Sequence, residues 1–359
     1  MPVFLKKFKL WIILLAVFLG VFIVVNLLFG IFARQIVIDQ IQQNLNTPAK
    51  LKSISLSLPL CVNLSELEIG SLVKAKRISV SVNPLGFLAG KVVIGNLSIF
   101  EPEITLEQSA DGTMNLPVLK QGGKQPPVYL TGLHIRNGRV IFTDKKVSSG
   151  GVKIIIDKLN LNVSKAILPV TALNVRFDLS AGFTDSAANP LGSVLAKGWV
   201  DMSAKDMDAK LQVKDLEITQ FEPYFGNFIS NKKISAGKLN LTSLFKAKDD
   251  QLEIANNFRL FGLTYAQQEN TQESSGLDLD MVKNTLDLFT DKSGNLDLEF
   301  TINTRLDNPA LDADKLKRII LKAAVRNLSN QSPDELANKV RDTVEKIKGF
   351  SKGLKAIFN

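Results

Sequence analysis

From Leu51 to about Leu311 polar and apolar residues alternate with a period of two, and this constrains the fold more than any other feature of the chain. In LDLEFTINTRL (296–306), Leu296, Leu298, Phe300, Ile302, Thr304 and Leu306 share one face. Asp297, Glu299, Thr301, Asn303 and Arg305 share the other. VKIIIDKLNLNVS (152–164), LNVRFDLSAGF (173–183) and KLNLTSLFKA (238–247) alternate in the same way. Successive strand side chains point to opposite faces, so the pattern predicts antiparallel strands with one apolar side. A parallel sheet would need helical crossovers, and no run of them is legible. The expectation is a mainly β protein of roughly 16–20 short strands.

Turn residues punctuate the alternation. Asp111-Gly112, Asn137-Gly138, Ser149-Gly150-Gly151 and Lys292-Ser293-Gly294-Asn295 all read as reversals, because these residues accept positive φ. A weak repeat is also present. Leu97, Ile99, Ile104 and Leu106 are spaced by two, five and two residues. Leu133, Ile135, Val140 and Phe142 repeat that spacing 36 residues later. Glu101-Pro102 stands where the second copy has Asn137-Gly138. Each copy therefore reads as a hairpin, and Glu101-Pro102-Glu103 as a corner rather than a catalytic carboxylate pair.

Ahead of the strands, Leu10 to Phe32 carries no charge, and Asn26 is its one markedly polar residue. At ~1.5 Å per helical residue the segment crosses a ~30 Å hydrocarbon core. Leu10, Trp11, Phe18, Phe22, Phe29 and Phe32 are its anchor candidates. A cleaved signal peptide has a shorter apolar region and a small-residue exit, so a retained anchor is the preferred reading. Lys6, Lys7 and Lys9 then stay cytoplasmic. Residues 35–50 are expected to form a juxtamembrane stalk.

Of the net charge of +9, those three lysines hold +3, and residues 312–359 hold +5, with 11 Lys/Arg against 6 Asp/Glu. The long middle is close to neutral. A nucleic-acid-binding body would carry its own basic stripe, so nucleic acid is not an expected partner and membranes are. The single cysteine, Cys61, cannot form an intramolecular disulfide and reads as a small core residue. The single histidine, His134, has no Cys, Ser or paired carboxylate at motif spacing. No P-loop, His-Glu-x-x-His or Gly-x-Ser-x-Gly run is present. No catalytic residue, metal or cofactor is assigned.

After Leu311 the period becomes helical. Leu316, Ile319, Ile320 and Ala323/Ala324 share a face among basic residues. Ser332-Pro333-Asp334-Glu335 is a capping box, and Leu336, Val340, Val344, Ile347 and Leu354 follow. These basic amphipathic helices would either cap the open edge of the sheet or lie on an anionic membrane.

SVNPLGFLAGKVVIGNLSIFEPEITLEQSADGTMNL (81–116) resembles the AsmA superfamily, through Asn83-Pro84-Leu85, Pro102, Asp111-Gly112 and Asn115-Leu116. LKSISLSLPLCVNLSELEIG (51–70) is similar to the strand pair that follows the anchor there. The phrases at 133–147, 197–225, 234–265 and 286–311 resemble a narrower AsmA-like branch, a domain of unknown function. The resemblance covers about residue 10 to 311. It implies a long curved antiparallel sheet forming an open trough in a protein of the bacterial inner membrane, with its N-terminus cytoplasmic and its bulk periplasmic. It also implies phospholipid or another acyl-chain lipid as ligand, in outer-membrane biogenesis.

The expected organisation is a tail and transmembrane anchor (1–34), a stalk (35–50), N-terminal AsmA-like strands (51–120), a linker (121–127), a β-trough (128–311) and a helical tail (312–359). The groove candidates are Leu97, Ile99, Ile104, Leu106, Leu133, Ile135, Val140, Phe142, Leu298, Phe300 and Ile302. The same alternation also builds a closed sandwich core, which leaves a scaffold for envelope or outer-membrane protein assembly as the alternative function. The sheet is too short to cross an envelope alone, so a partner protein or an oligomer is expected.

Overall fold

The computed structural model describes residues 2–58, 60–82, 92–116, 128–148, 150–168, 174–225, 232–267, 295–309 and four residues beyond them, Arg318, Ile319, Lys322 and Ala323. The apolar N-terminal sequence is one continuous helix, α1 (Pro2–Leu45). It ends at Asn46, whose φ of 48° is the left-handed conformation that asparagine tolerates. The Asn46 N–H closes the last turn on the Gln42 carbonyl at 2.9 Å.

Twelve strands follow: β1 (Ala49–Ser57), β2 (Cys61–Ile69), β3 (Val73–Val82), β4 (Val92–Gln108), β5 (Val128–Asp144), β6 (Val152–Leu168), β7 (Asn174–Thr184), β8 (Pro190–Asp201), β9 (Asp206–Glu217), β10 (Lys232–Lys248), β11 (Gln251–Gln267) and β12 (Leu296–Arg305). They form one open sheet in sequence order, β1 to β12, with every described pairing antiparallel. A 3₁₀ turn (Thr219–Phe221) and a single helical turn, α2 (Glu222–Phe225), interrupt the order between β9 and β10. The twelve strands among the described residues are fewer than the sequence suggests, and two expected reversals account for part of the difference. Glu101-Pro102 and Asn137-Gly138 do not reverse the chain; they lie inside the 17-residue strands β4 and β5.

What these positions do is shift the phase of the alternation. Glu66, Glu101, Asn137 and Lys158 all have φ between 48° and 53°, in the middle of strands β2, β4, β5 and β6. β3 runs unbroken past the Glu101 kink, pairing Arg77 with Phe100, Ala75 with Pro102 and Val73 with Ile104. In a plain strand, Ile99 and Ile104 would point to opposite faces, because their spacing is odd. The left-handed residue between them restores both to one face. This accounts for the spacing of two, five and two. Gly138 sits in the same row: a Cβ there would lie 3.1 Å from Pro102 Cγ and 3.5 Å from Leu159 Cβ.

Other reversals fall where expected. Gly112 (φ 89°) donates to Ser109 O after β4, and Gly151 (φ 72°) donates to Ser148 O between β5 and β6. The Lys292–Asn295 turn and the linker at 121–127 lie outside the described residues, apart from Asn295. One hairpin turn unread in the sequence is Asp249-Asp250, both left-handed, joining β10 to β11.

Contacts divide the chain into two compact units. One contains residues 1–107, 113–142 and 157–170, and the other residues 108–112, 143–156 and 171–359. In the first, the core is Leu51, Ile54 and Leu67, packed against Phe29, Ala33, Val37, Ile38 and Ile41 of α1. Residues 35–45, the first part of the expected stalk, continue α1, and Val37, Ile38 and Ile41 pack on the first strands. No C-terminal helix is among the described elements. The capping box and the residues after it lie outside the described residues, as do Leu316, Ile320 and Ala324.

Candidate functional site

The first unit carries an apolar face built from four cross-strand rows. Ala49, Ile69, Val73 and Ile104 form one row, and Leu51, Leu67, Ala75 and Pro102 the next. Beyond the kink come Ile54, Leu64, Ile78 and Ile99, and then Leu56, Val62, Val80 and Leu97. The opposite face is polar, with rows such as Lys50–Glu68–Lys74–Glu103 and Ser55–Asn63–Ser79–Ser98. The candidate residues Leu97, Ile99, Ile104 and Leu106 thus share the apolar face and are half-buried. On β5, Gly138 meets Pro102 and Ile135 on this face, and alternation places Val140 and Phe142 with it. Leu133, two residues before Ile135, belongs to it as well.

His134 points away from that face, its Nδ1 3.0 Å from Asn162 Oδ1 on β6. Cys61 opens β2 and is half-buried rather than core.

The second unit repeats the design. Ala181, Val194, Val213, Leu241, Phe258 and Leu298 make one apolar row across β7 to β12. Phe177, Gly198, Ala209, Phe245, Ile254 and Ile302 make another. Leu298 and Ile302 are buried, and Phe300 between them is half-buried. No charged side chain lies in these rows. The sequence candidates on β12 therefore belong to a six-strand surface. Phe177, Val194, Val213, Phe245 and Phe258 were readable from the same alternation but were not singled out.

Phe300's own row is Leu179, Ala196, Leu211, Ser243, Asn256 and Phe300, and it holds a polar pair. The Ser243 hydroxyl, 3% exposed, donates to Asn256 Oδ1 at 2.7 Å, and Asn256 Nδ2 donates to the Ile254 carbonyl at 3.1 Å. A buried hydroxyl and amide on an apolar face are tolerated because each bonds the other or the main chain.

Charged groups in this unit are held off the apolar rows. Arg259 pairs with Asp297 on the polar face. At the β10–β11 turn, buried Asp250 contacts Arg305 at 2.6 Å and Lys205 at 3.5 Å, and both cations also bind Asp307. Hydrogen bonds from Lys205 and Arg305 hold the Asp307 carboxyl down to about 2. Burial, with the hydrogen bond to Asp144 at 2.9 Å, pushes the Tyr224 hydroxyl up to about 12.

Ile319, Lys322 and Ala323 are helical and line a cleft of about 620 Å³ with Thr242, Leu244, Ala255 and Thr301. Those four sheet residues belong to the polar face, as do Asn257 and Glu299, while Asn256 and Phe300 of the interrupted apolar row line the cleft as well. Among the described residues no group of three or more His, Cys, Asp or Glu side chains could hold a metal ion.

The N-terminal helix supplies the remaining apolar surface. Val17–Leu45 is long and apolar enough to cross a membrane, as either an anchor or a signal sequence. Phe18 and Phe32 are more than half exposed, while Phe22 and Phe29 are half-buried. The rings of Phe18 and Phe22 stack with centroids 6.5 Å apart. Leu10 and Trp11 lie in the first third of the helix. No protein-family model, curated protein or solved structure matches the chain.

Proposed function

We propose that the chain is a retained, single-pass protein of the bacterial inner membrane, AsmA-like in design. On this reading its N-terminus is cytoplasmic, its sheet is periplasmic, and its apolar face binds phospholipid acyl chains and passes them toward the outer membrane. The observation that carries this reading is the set of uncharged apolar rows spanning β7 to β12. All twelve described strands belong to one sheet, so no second β-layer of described residues closes over those rows. Each methylene drawn from a bilayer into water costs about 0.8 kcal/mol. A continuous apolar strip lowers that cost without any directed polar chemistry.

Retention of α1 is supported by its packing. Removing it would uncover Leu51 and Ile54, which are 1% and 5% exposed. Twelve strands at ~4.8 Å spacing make a bridge shorter than the sequence suggested, so a partner or an oligomer would complete the path. The test is transfer of a fluorescent phospholipid from vesicles holding the full chain to acceptor vesicles. Acceleration over empty vesicles, lost in a folded Ile254→Asp variant, is expected. Equal rates with and without the protein would leave a tethered β-scaffold for envelope assembly.

A further inference from the structure

On Leu10–Leu45 of α1 and on the described residues of β1–β4, charged residues stop at a single line; Lys91, between β3 and β4 in sequence, lies outside the described residues. On α1 the boundary is Arg34, and no charge occurs from Leu10 to Ala33. On the strands it is the group Lys52, Glu66, Lys76, Arg77 and Glu101. Beyond that group residues 53–65, 78–82 and 92–100 carry no charge. The register shows that these uncharged stretches are the same end of the sheet: Ile54, Leu64, Ile78 and Ile99 make the first row past the line, and Leu56, Val62, Val80 and Leu97 lie further out.

The two boundaries coincide in space. Arg34 Nε donates to the Leu51 carbonyl at 2.6 Å, just on the charged side. Asn26 binds the main chain of Leu56, well within the uncharged side. β1 therefore runs back along α1 toward the helix N-terminus. The turn after β1 presents Leu58, 61% exposed, and Leu60, 48% exposed. The outward side of α1 presents Leu27, Leu28, Ile31 and Phe32, all at least half exposed.

We propose that this uncharged end of β1–β4 is immersed in the leaflet adjoining the sheet, beside the helix that spans the membrane. The dimensions agree. Six to seven strand residues beyond the charge line reach ~20 Å, about one leaflet of a bilayer that is ~40–45 Å thick with headgroups. Leu10–Ala33 as a helix covers ~36 Å, so the strand tips end near its middle.

The polar chemistry also agrees. In a bilayer every main-chain group needs a partner, and an open sheet edge has none. β1 is that edge, and the one markedly polar residue of the apolar span, Asn26, supplies a partner to both the N–H and the C=O of Leu56. Side chains on the polar face partner each other: Ser79 Oγ donates to Asn63 Oδ1, and Asn63 Nδ2 to Ser57 Oγ, each at 2.8 Å. The placement rests on α1 being a retained span. It does not depend on lipid passage.

Cys61 stands at this end, paired with Ser57 and Ser81, and is the natural site for a probe. The full chain, labelled at Cys61 with an environment-sensitive fluorophore, is reconstituted in phosphatidylcholine–phosphatidylglycerol vesicles containing doxyl-labelled lipid. Two Cys61→Ala derivatives carry the label instead at Val17→Cys, in the helix, or at Glu68→Cys, beyond the charge line. The Cys61 and Val17→Cys signals should fall by more than half with doxyl lipid and resist aqueous iodide, and Glu68→Cys should show the reverse. If Val17→Cys is quenched by lipid while Cys61 follows iodide, the immersed sheet end is wrong and the span stands. Protection of Cys61 from both quenchers would assign a protein cover, another copy or a partner, and would equally overturn the proposal. A Val17→Cys signal that ignores doxyl lipid removes the span itself.

Discussion

Asn26 and Leu56 exchange two hydrogen bonds across the junction of helix and sheet: Asn26 Nδ2 donates to the Leu56 carbonyl at 2.6 Å, and the Leu56 N–H donates to Asn26 Oδ1 at 2.9 Å. A side-chain amide thus does for β1 what a further strand would do. Gln42 Nε2 reaches the Ala49 carbonyl at 3.4 Å near the other end of the strand, so α1 serves the terminal strand along much of its length. Exposed edges invite pairing with foreign strands. Here the covering element is also the apolar helix.

Asn26→Leu keeps the size and apolar character of the helix but strands both Leu56 groups. Leaving a sheltered polar group unpaired costs about 1–3 kcal/mol. The expected result is faster amide hydrogen exchange at Leu56 in the reconstituted full chain, with exchange in β7–β12 unchanged. Unchanged protection at Leu56 would show that water or lipid headgroups replace the asparagine.

The kinks make a sharper prediction. Asn137 has φ 53°, and its N–H donates to Asn160 Oδ1 at 3.2 Å. A left-handed backbone costs a residue with a Cβ about 1–2 kcal/mol, and a β-branched side chain is the worst case. Asn137→Val should lower the denaturant midpoint by an amount of that order, while Asn137→Gly should leave it near the parent value. Equal behaviour of the two variants would mean that the backbone relaxes into a plain strand.

These kinks also mark where the sequence stopped being readable. Between Leu51 and about Leu311 the alternation shows strands and their faces wherever the residues are described, because a period of two survives in any single segment. Asn-Gly and Glu-Pro satisfy the local requirements of a hairpin turn and of an in-strand kink equally well, since positive φ serves both. Only the neighbouring strand decides, and β3 stays paired with β4 on both sides of Glu101. The two-five-two spacing makes the candidate residues legible as one face, but it does not distinguish a hairpin from an in-strand kink as its cause. The packing of α1 on β1 was hidden for another reason: Phe29, Ala33 and Val37 suit lipid and a protein core alike.

Ser243 and Asn256 interrupt the apolar row that ends at Phe300. Asn256→Leu removes the acceptor of a buried hydroxyl and should cost about 1–3 kcal/mol, whereas Ser243→Ala with Asn256→Leu should come close to the parent. A denaturation cycle over the four proteins measures the coupling. Additive losses would mean that the two side chains act independently.

The turn cluster sets an acid limb for the second unit. Asp307 ionises at about 2 when folded, against roughly 3.9 in an unfolded chain. A depressed carboxylate stabilises the folded form at pH above the unfolded value, and that contribution is lost as pH falls from there through about 2. Hydrogen bonding to Asp307 raises Lys205, so its own contribution holds below the unfolded lysine value and disappears as pH rises through the raised one. Unfolding followed from pH 6 to pH 2 should show a steeper loss for the parent than for Asp307→Asn; ~4 is where the curves should begin to converge. Parallel curves would remove Asp307 from the acid response.

The central claim is that acyl chains occupy the apolar face, and site-specific photo-crosslinking in native membranes tests it most directly. A photoreactive residue is placed at Ile135 or Phe300 of the full chain, with matched controls one position away on the opposite face at Arg136 and Thr301. The account predicts phospholipid adducts by mass spectrometry at the first two positions and none at the controls. Adducts to protein alone at Ile135 and Phe300, or lipid adducts equal on both faces, would contradict it.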